Sequence, residues 1–176
     1  AVDKKGQLTR LGKMLVAIPL DPKFARMLIE ASQLGSLTEL IIITTGLSIQ
    51  DPRERPPDKK QAADLAHKPW LDEQSDFMSL LNIWQHFEEK RQTLSRNQFA
   101  KYCRANFISP LRMKEWRDLH HQVHSACRGL GFMDSKQAAD YQSIHCALLS
   151  GLLGQVANRQ DRWEFLGTRN RKLFIF

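Results

Sequence analysis

A proline-rich segment in the first half of the chain limits what this sequence can fold into. It covers residues 47–57 and contains Pro52, Pro56 and Pro57. Proline fixes φ and removes a backbone N–H donor, so neither a helix nor an inner strand can continue through the segment. The residues before it, 37–47, are apolar with almost no charge, whereas those after it are charged and polar. We therefore expect a stiff, extended elbow between a buried element and an exposed one.

Helical patterns dominate the chain up to residue 148. Apolar residues recur there at i, i+3, i+4 and i+7, and residues suited to N-caps precede most of these stretches. The predicted caps are Thr9, Asp21, Ser36, Asp76, Ser95 and Ser109, with Asp134 or Ser135 before the last helix. Ser36 and Glu39 have the spacing of a capping box, as do Ser95 and Gln98. Residues 41–45 have strand propensity, but the capping box before them favours a buried helix.

The hydrophobic period changes from 3.6 to 2 beyond Gly151. Residues 155–157, 163–165 and 173–176 resemble short strands, and residues 158–161 and 167–170 resemble the turns between them. The predicted fold is therefore mainly α, with a small β unit at the end. The chain opens without Met and stops inside a strand-like run, so we expect a piece of a longer protein.

Charge and cysteine content narrow the range of partners and compartments. The formal net charge is +7 and the pI is about 9.5. This favours a polyanionic partner, although a basic protein without one would show the same value. Three widely spaced cysteines predict no disulfide framework and a reducing compartment. No apolar run approaches the ~20 residues of a membrane helix. We expect a cytoplasmic protein with no membrane partner.

The sequence contains no complete catalytic motif of the P-loop or nucleophile-elbow type. The spacing from Gly6 to Gly12 and Lys13 is nearest to a P-loop, but it has one residue too many. Met14 also stands where Ser or Thr should hold magnesium. No Gly-x-Ser-x-Gly motif surrounds Ser150, and the carboxylates are scattered. We predict no catalytic residue and no cofactor bound by this chain.

A zinc site is the alternative enzyme hypothesis. His120, His124 and Cys127 lie about one turn apart on a predicted helix. The two histidines have zincin spacing, but His121 stands where the Glu base must be. A solvated helix with histidines on its polar side is favoured, so we predict no metal ligand.

Nucleic acid is the better-supported partner. Basic side chains neutralise phosphates, and exposed aromatic rings can stack on bases. One basic group lies in the predicted helices around Asn106 and Phe107 and consists of Lys101, Arg104, Arg112, Lys114, Arg117 and Arg128. Another lies in the β unit near Trp163 and consists of Arg159, Arg162, Arg169, Arg171 and Lys172. A set of solvated faces remains the alternative. Trp84, Trp116 and Phe99 are expected in the core.

Several motifs, in order, resemble the helicase-associated (ratchet) region of DEAH-box RNA helicases. Ser48-Ile-Gln-Asp-Pro-Arg-Glu-Arg-Pro56 is similar to the family's Ser-Val-Gln-Asp-Pro-x-x-Arg-Pro. Pro19-Leu-Asp-Pro22 with Ala25-Arg-Met-Leu28 resembles its Pro-Leu-Asp-Pro-x-x-Ala-x-Met-Leu. The segment Tyr102-Cys-Arg-Ala-Asn-Phe-Ile108 is similar to its Trp-Cys-x-x-Asn-Phe-Ile. Residues 144–151 resemble the entry to its OB-fold.

The resemblance implies three units and a function. Residues 1–19 would end a winged helix, residues 20–143 would form the ratchet-type helical bundle, and residues 144–176 would begin an OB-fold. That OB-fold would be incomplete, because a barrel needs about five strands. The chain would help to form a single-stranded RNA channel beside two RecA-like motor domains of the same parent chain. ATP and magnesium would be bound by those motor domains, so this chain alone should be inactive.

The residues expected to contact RNA follow from the resemblance and the charge pattern together. Phosphate contacts are assigned to Arg104, Arg112, Arg117 and Arg128, a positioning role to Gln50, Arg53 and Arg55, and further nucleic-acid contacts to Arg162, Arg169 and Arg171. The alternative is a protein-interaction scaffold whose basic face docks the motor domains or another partner.

Overall fold

The predicted mainly α fold is confirmed in the computed structural model, which describes residues 1–174. Eight α-helices precede a small sheet in this range. The helices are α1 (Arg10–Ala17), α2 (Pro22–Leu34), α3 (Leu37–Gly46), α4 (Lys60–His67), α5 (Asp76–Thr93), α6 (Arg96–Ala105), α7 (Pro110–Gly129) and α8 (Tyr141–Leu152). The strands are β1 (Ala157–Arg159), β2 (Glu164–Gly167) and β3 (Lys172–Phe174).

Helix α3 is the centre of the helical body. It packs against α2, α5, α7 and α8, and almost every one of its residues is buried. Its two buried threonines do not leave unpaired polar groups in the core. The Thr44 hydroxyl donates to the Leu40 carbonyl at 2.6 Å, and the Thr45 hydroxyl donates to the Ile41 carbonyl at the same distance. Burial on all sides explains how a β-branched run forms a helix here, as predicted.

Most of the predicted helix starts are confirmed. Side chains at these positions accept hydrogen bonds from backbone N–H groups of the first turn, which satisfies donors that a helix otherwise leaves unpaired. The residues whose side chains do this are Thr9, Asp21, Ser95 and Ser109, and Ser95 forms a complete capping box with Gln98. Trp84, Trp116 and Phe99 are buried, as expected.

Two predicted helix starts differ in their chemistry. The Ser36 side chain makes no cap hydrogen bond. Glu39 instead turns towards the loop before α8, where its Oε1 accepts from the Ala139 N–H at 3.0 Å. The capping box is therefore wrong, although the helix is right. At α5, Ser75 rather than Asp76 is the N-cap, and its hydroxyl accepts from the Met78 N–H.

The predicted start of the last helix at Asp134 or Ser135 is wrong. Helix α8 begins at Tyr141 and is capped by Asp140. Asp134 is engaged elsewhere, because its carboxylate binds His124 at 2.7 Å and Arg128 at 3.2 Å on α7. Two side chains of α7 therefore bind the carboxylate that was expected to cap α8.

The sheet is an antiparallel meander in the order β1-β2-β3. Asn158 lies opposite Leu166, and Phe165 lies opposite Leu173, so three strands form near the predicted positions. Residues 175–176 of the last predicted strand lie outside the described residues. The OB-fold assignment and the boundaries at residues 19–20 and 143–144 stay predictions.

Candidate nucleic-acid interface

The elbow pairs with the loop between α6 and α7. The Ser109 N–H donates to the Pro52 carbonyl at 2.9 Å, and the Glu54 N–H donates to the Phe107 carbonyl at 2.8 Å. The elbow is extended, as predicted, and it is anchored rather than loose. His67 reinforces the contact, because its Nε2 lies 3.0 Å from the same Phe107 carbonyl oxygen.

The junction between α6 and α7 contains a strained backbone conformation, which its pairing with the elbow helps to stabilise. Phe107 has φ of 54°, in the left-handed region that a bulky side chain rarely adopts. The Asn106 side chain donates to the Tyr102 carbonyl at 2.9 Å and closes the end of α6. The motif that resembles the helicase family at this point therefore has a structural role in holding the loop.

Both elbow arginines are held by carboxylates. The Arg53 guanidinium donates to the Asp51 carboxylate, with a shortest distance of 2.6 Å from Nη2 to Oδ2. The Arg55 guanidinium donates to Asp64 through Nε and Nη2, at 2.7 and 2.8 Å. Gln50, the third predicted positioning residue, is exposed.

The carboxylates in these pairs stay ionised. Burial by itself would raise the pKa of Asp51, but hydrogen bonds from the Arg53 side chain and backbone outweigh it, and the pKa is lowered. The hydrogen bond from Arg55 lowers the pKa of Asp64. Both arginines are therefore neutralised at neutral pH.

The arginines of α6 and α7 that were predicted to contact phosphate differ in whether a carboxylate is bound to them. Arg117 lies 3.7 Å from Glu88 of α5, and Arg128 lies 3.2 Å from Asp134. Arg112 donates through Nη1 to the Asp51 backbone carbonyl at 2.9 Å, which positions its guanidinium without neutralising the charge. Arg104 is exposed and forms no ion pair with any described residue.

The β unit presents one guanidinium over an exposed indole and two more that form no ion pair with a described residue. The Arg162 guanidinium lies over the Trp163 ring at 4.8 Å, and the Trp163 side chain is 48% exposed. Arg169 and Arg171 are exposed, and neither forms an ion pair within residues 1–174. Lys172 differs, because its ammonium group binds Glu164 at 2.6 Å.

The histidines of α7 lie in an environment that does not suit a metal. The His120 ring packs on Trp84 with centroids 4.7 Å apart, and the His124 Nε2 is bound to Asp134. Burial lowers the pKa of His120 to about 4 and raises the pKa of the Cys127 thiol to about 11. Residues 1–174 contain no group of three His, Cys, Asp or Glu side chains that could hold a metal ion. The zinc hypothesis is not supported.

Cys103, Cys127 and Cys146 are all free thiols, and the first two are buried. Within the described part of the chain, every helix is too short or too polar to cross a bilayer.

The acidic partners of the arginines are the part of this surface that sequence reasoning missed. Asp51 stands two residues before Arg53, a spacing that could have indicated a local pair. Asp64 lies nine residues from Arg55, and Glu88 lies on a different helix from Arg117. No sequence signal links those two pairs.

Comparison with known proteins identifies the region. The family described as "Helicase associated domain (HA2), ratchet-like" matches residues 21–80. The chain is 41% identical over 174 residues to the ATP-dependent RNA helicase HrpA homolog of Haemophilus influenzae, and 42% identical over 171 residues to HrpA of Escherichia coli. These alignments cover 98% and 97% of this chain. The human ATP-dependent RNA helicase DHX33 is 25% identical over 166 residues, which is 94% of this chain and 23% of that protein.

The matches also define how much of such a protein is present. The chain spans 13% of the length of the two bacterial relatives. The matched family domain begins one residue after the predicted start of the ratchet unit at residue 20 and includes α2, α3, the elbow and α4. The chain therefore belongs to the HrpA-like DEAH-box helicases, as a helicase-associated (HA2) region of that family.

Proposed function

We propose that this chain is an accessory region of an ATP-dependent RNA helicase and helps to form a single-stranded RNA channel beside RecA-like motor domains of the same parent chain. The names of its relatives support the RNA helicase assignment. The observation that carries the RNA role is exposed Trp163 with the Arg162 guanidinium over its ring, in a β unit where Arg169 and Arg171 also form no ion pair with a described residue.

The β unit has the chemistry that single-stranded nucleic acid requires. Guanidinium groups bind phosphate oxygens, and an exposed indole offers a face on which any base can stack. Arg162, Arg169 and Arg171 supply the first feature, and Trp163 supplies the second. Such contacts favour a single strand without reading its sequence, which suits a channel through which RNA passes.

Helix α6 and the start of α7 supply a second basic surface. Arg104 is exposed and forms no ion pair with a described residue, and Arg112 keeps its charge because it is bound to a neutral carbonyl. The elbow holds Arg112 in place, so a phosphate contact there would cost little side-chain entropy. Arg117 and Arg128 would have to exchange a carboxylate for a phosphate and are weaker candidates.

The proposed division of labour leaves nucleotide chemistry outside this chain. ATP and magnesium would be bound by the motor domains, and the present residues would hold RNA while those domains move. A cytoplasmic location fits this role and the free thiols. The isolated chain should therefore show no ATPase activity.

Fluorescence anisotropy with a labelled single-stranded RNA, titrated with salt, tests the proposal. We expect binding that weakens with salt, and weaker binding with a shallower salt slope for Arg104→Gln and for the double variant Arg162→Gln/Arg171→Gln. Each lost phosphate contact should reduce the slope by about 0.7. Lys136→Gln is the matched control, because it removes one exposed charge from a loop outside both surfaces.

Arg112 and Arg117 are left unchanged in this test, because both side chains also hold the fold together. The proposal fails if the purified chain binds no RNA at low salt, or if the arginine variants match Lys136→Gln.

A docking scaffold is the second candidate. Leu111, at the start of α7 beside Arg112, is 65% exposed, and an apolar side chain next to a positioned cation would suit a protein surface. Retained binding of the separately expressed motor domains by the variants that lose RNA would favour RNA contact. Loss of motor-domain binding with unchanged RNA affinity would favour the scaffold.

A further inference from the structure

The elbow arginines differ from the other predicted RNA contacts in how they are neutralised. Arg53 and Arg55 each donate two side-chain N–H groups to one carboxylate, which is the geometry with which guanidinium binds phosphate. The two acids, Asp51 and Asp64, come from the elbow and from α4. The groups that would bind RNA are thus already occupied by internal anions of matching shape.

The two pairs face one open cavity. Its lining consists of Asp51, Arg53, Arg55, Asp64, His67 and Leu71, and its volume is about 370 Å³. That space can admit a phosphate group and its sugar. An incoming phosphate would therefore meet both guanidiniums together with the carboxylates that hold them.

We propose that Asp51 and Asp64 mask the elbow arginines, so that RNA phosphates reach Arg53 and Arg55 only by displacing these carboxylates. The proposal rests on the RNA-binding function proposed above and names a regulation of that surface. It makes the elbow a reserve contact, whereas Arg104 and the β unit hold RNA without competition.

The mask on Arg55 is the one that opens more easily. The Arg55 and Asp64 side chains are 59% and 50% exposed, so water screens their attraction. Arg53 is more enclosed, at 25% exposed, and the Arg53 N–H also donates to the Asp51 carboxylate at 2.9 Å. Breaking the Arg53 pair would therefore disturb the elbow backbone, whereas the Arg55 pair can exchange without moving it.

Removing the Asp64 charge should release Arg55. We expect Asp64→Asn to tighten binding of single-stranded RNA and to steepen its salt slope by about 0.7, which makes the affinity lost between 50 and 200 mM salt about threefold greater. Asp58→Asn is the matched control, because Asp58 is an exposed acid of the same segment with no ion pair to any described residue. It reports the general effect of one lost negative charge.

Arg55→Gln completes the cycle. It should change RNA binding little in the wild-type background, because Arg55 is masked there. It should also abolish the gain of Asp64→Asn, so that the double variant, whose net charge equals that of the wild type, binds RNA as the wild-type chain does. Equal gains from Asp64→Asn with and without Arg55, or no gain over Asp58→Asn, would overturn the mask.

A second readout separates this inference from the RNA-binding proposal. The Arg55 Nε–H resonance, followed by NMR during titration with inorganic pyrophosphate, should shift more in Asp64→Asn than in the wild-type chain. An equal response in the two chains overturns the mask whatever RNA does. A larger response in Asp64→Asn, with no RNA binding by either chain, supports the mask and rejects the RNA channel.

Discussion

Gly46 is a position at which the core should be sensitive to a single added methyl group. It ends α3, and a Cβ placed there would lie 2.6 Å from Cζ2 and 2.9 Å from Cε2 of Trp116. Trp116 cannot retreat easily, because it is fully buried and its indole N–H donates to the Ile42 carbonyl at 3.0 Å and to the Thr45 hydroxyl at 3.1 Å. Gly46→Ala must therefore displace a pinned ring.

The expected cost follows from two opposing terms. Overpacking a close-packed core costs about 1–3 kcal/mol. Alanine recovers up to about 1 kcal/mol through its higher helix propensity. The net loss in the free energy of unfolding should be about 1–2 kcal/mol, which lowers Tm by roughly 2–8 °C in a chain of this size.

Urea unfolding followed by circular dichroism measures this loss. Gly129→Ala is the matched control, because it also lies at the end of a helix but an added Cβ there meets nothing within 4 Å. That variant should be as stable as the wild type or more stable. Gly46→Ala should also cost less in a Trp116→Phe background, since the smaller ring ends short of the clash. A neutral or stabilising Gly46→Ala, or an equal cost in both backgrounds, would refute the packing argument.

Two further changes test other parts of the helical body. Gly151→Ala would bring a Cβ into the Lys23 carbonyl oxygen where α8 crosses α2. Because a backbone atom cannot rotate away as a side chain can, we expect the free energy of unfolding measured in urea to fall by about 2 kcal/mol or more. Gly154→Ala, with open space around the added Cβ, should cost far less. Burial lowers the pKa of His120 to about 4, so the unfolded chain, with a pKa near 6.5, binds the extra proton. The free energy of unfolding is therefore highest with respect to this group above pH 6.5. It falls by up to about 3 kcal/mol as the pH decreases towards 4. His120→Phe keeps the ring contact with Trp84 and should flatten this dependence in unfolding titrations at several pH values, whereas an unchanged slope would show that other groups cause it.

The local chemistry of the sequence was sufficient to place most helices. Asp21, Ser95 and Ser109 cap the helices that they were predicted to cap, because those hydrogen bonds involve residues only two or three positions away. The apolar run at residues 41–45 was also predicted correctly to be helical, although the capping box that favoured this prediction does not form and burial on all sides overrides the strand propensity. Periodicity and caps act over short distances, and both can be read from a sequence.

Long-range partners account for the errors. Glu39 has the spacing of a capping box, but its carboxylate accepts from Ala139, a hundred residues away. Asp134 resembles a helix cap, but it lies between His124 and Arg128 of the preceding helix. In each case a polar side chain with a good local use found a tertiary partner, and a single sequence carries no sign of that choice.

The location of the available basic surface cannot be read from the sequence for the same reason. The net charge of +7 indicates a polyanion partner but says nothing about which cations are available. Arg55 and Arg104 look equivalent as sequence, yet Arg55 is bound to Asp64 and Arg104 forms no ion pair with a described residue. A phosphate gains the full attraction of Arg104, whereas at Arg55 it must first displace an anion of similar strength. RNA should therefore bind first to the arginines that form no ion pair with a described residue. The elbow arginines should bind it only when a phosphate is held close enough to displace their carboxylates.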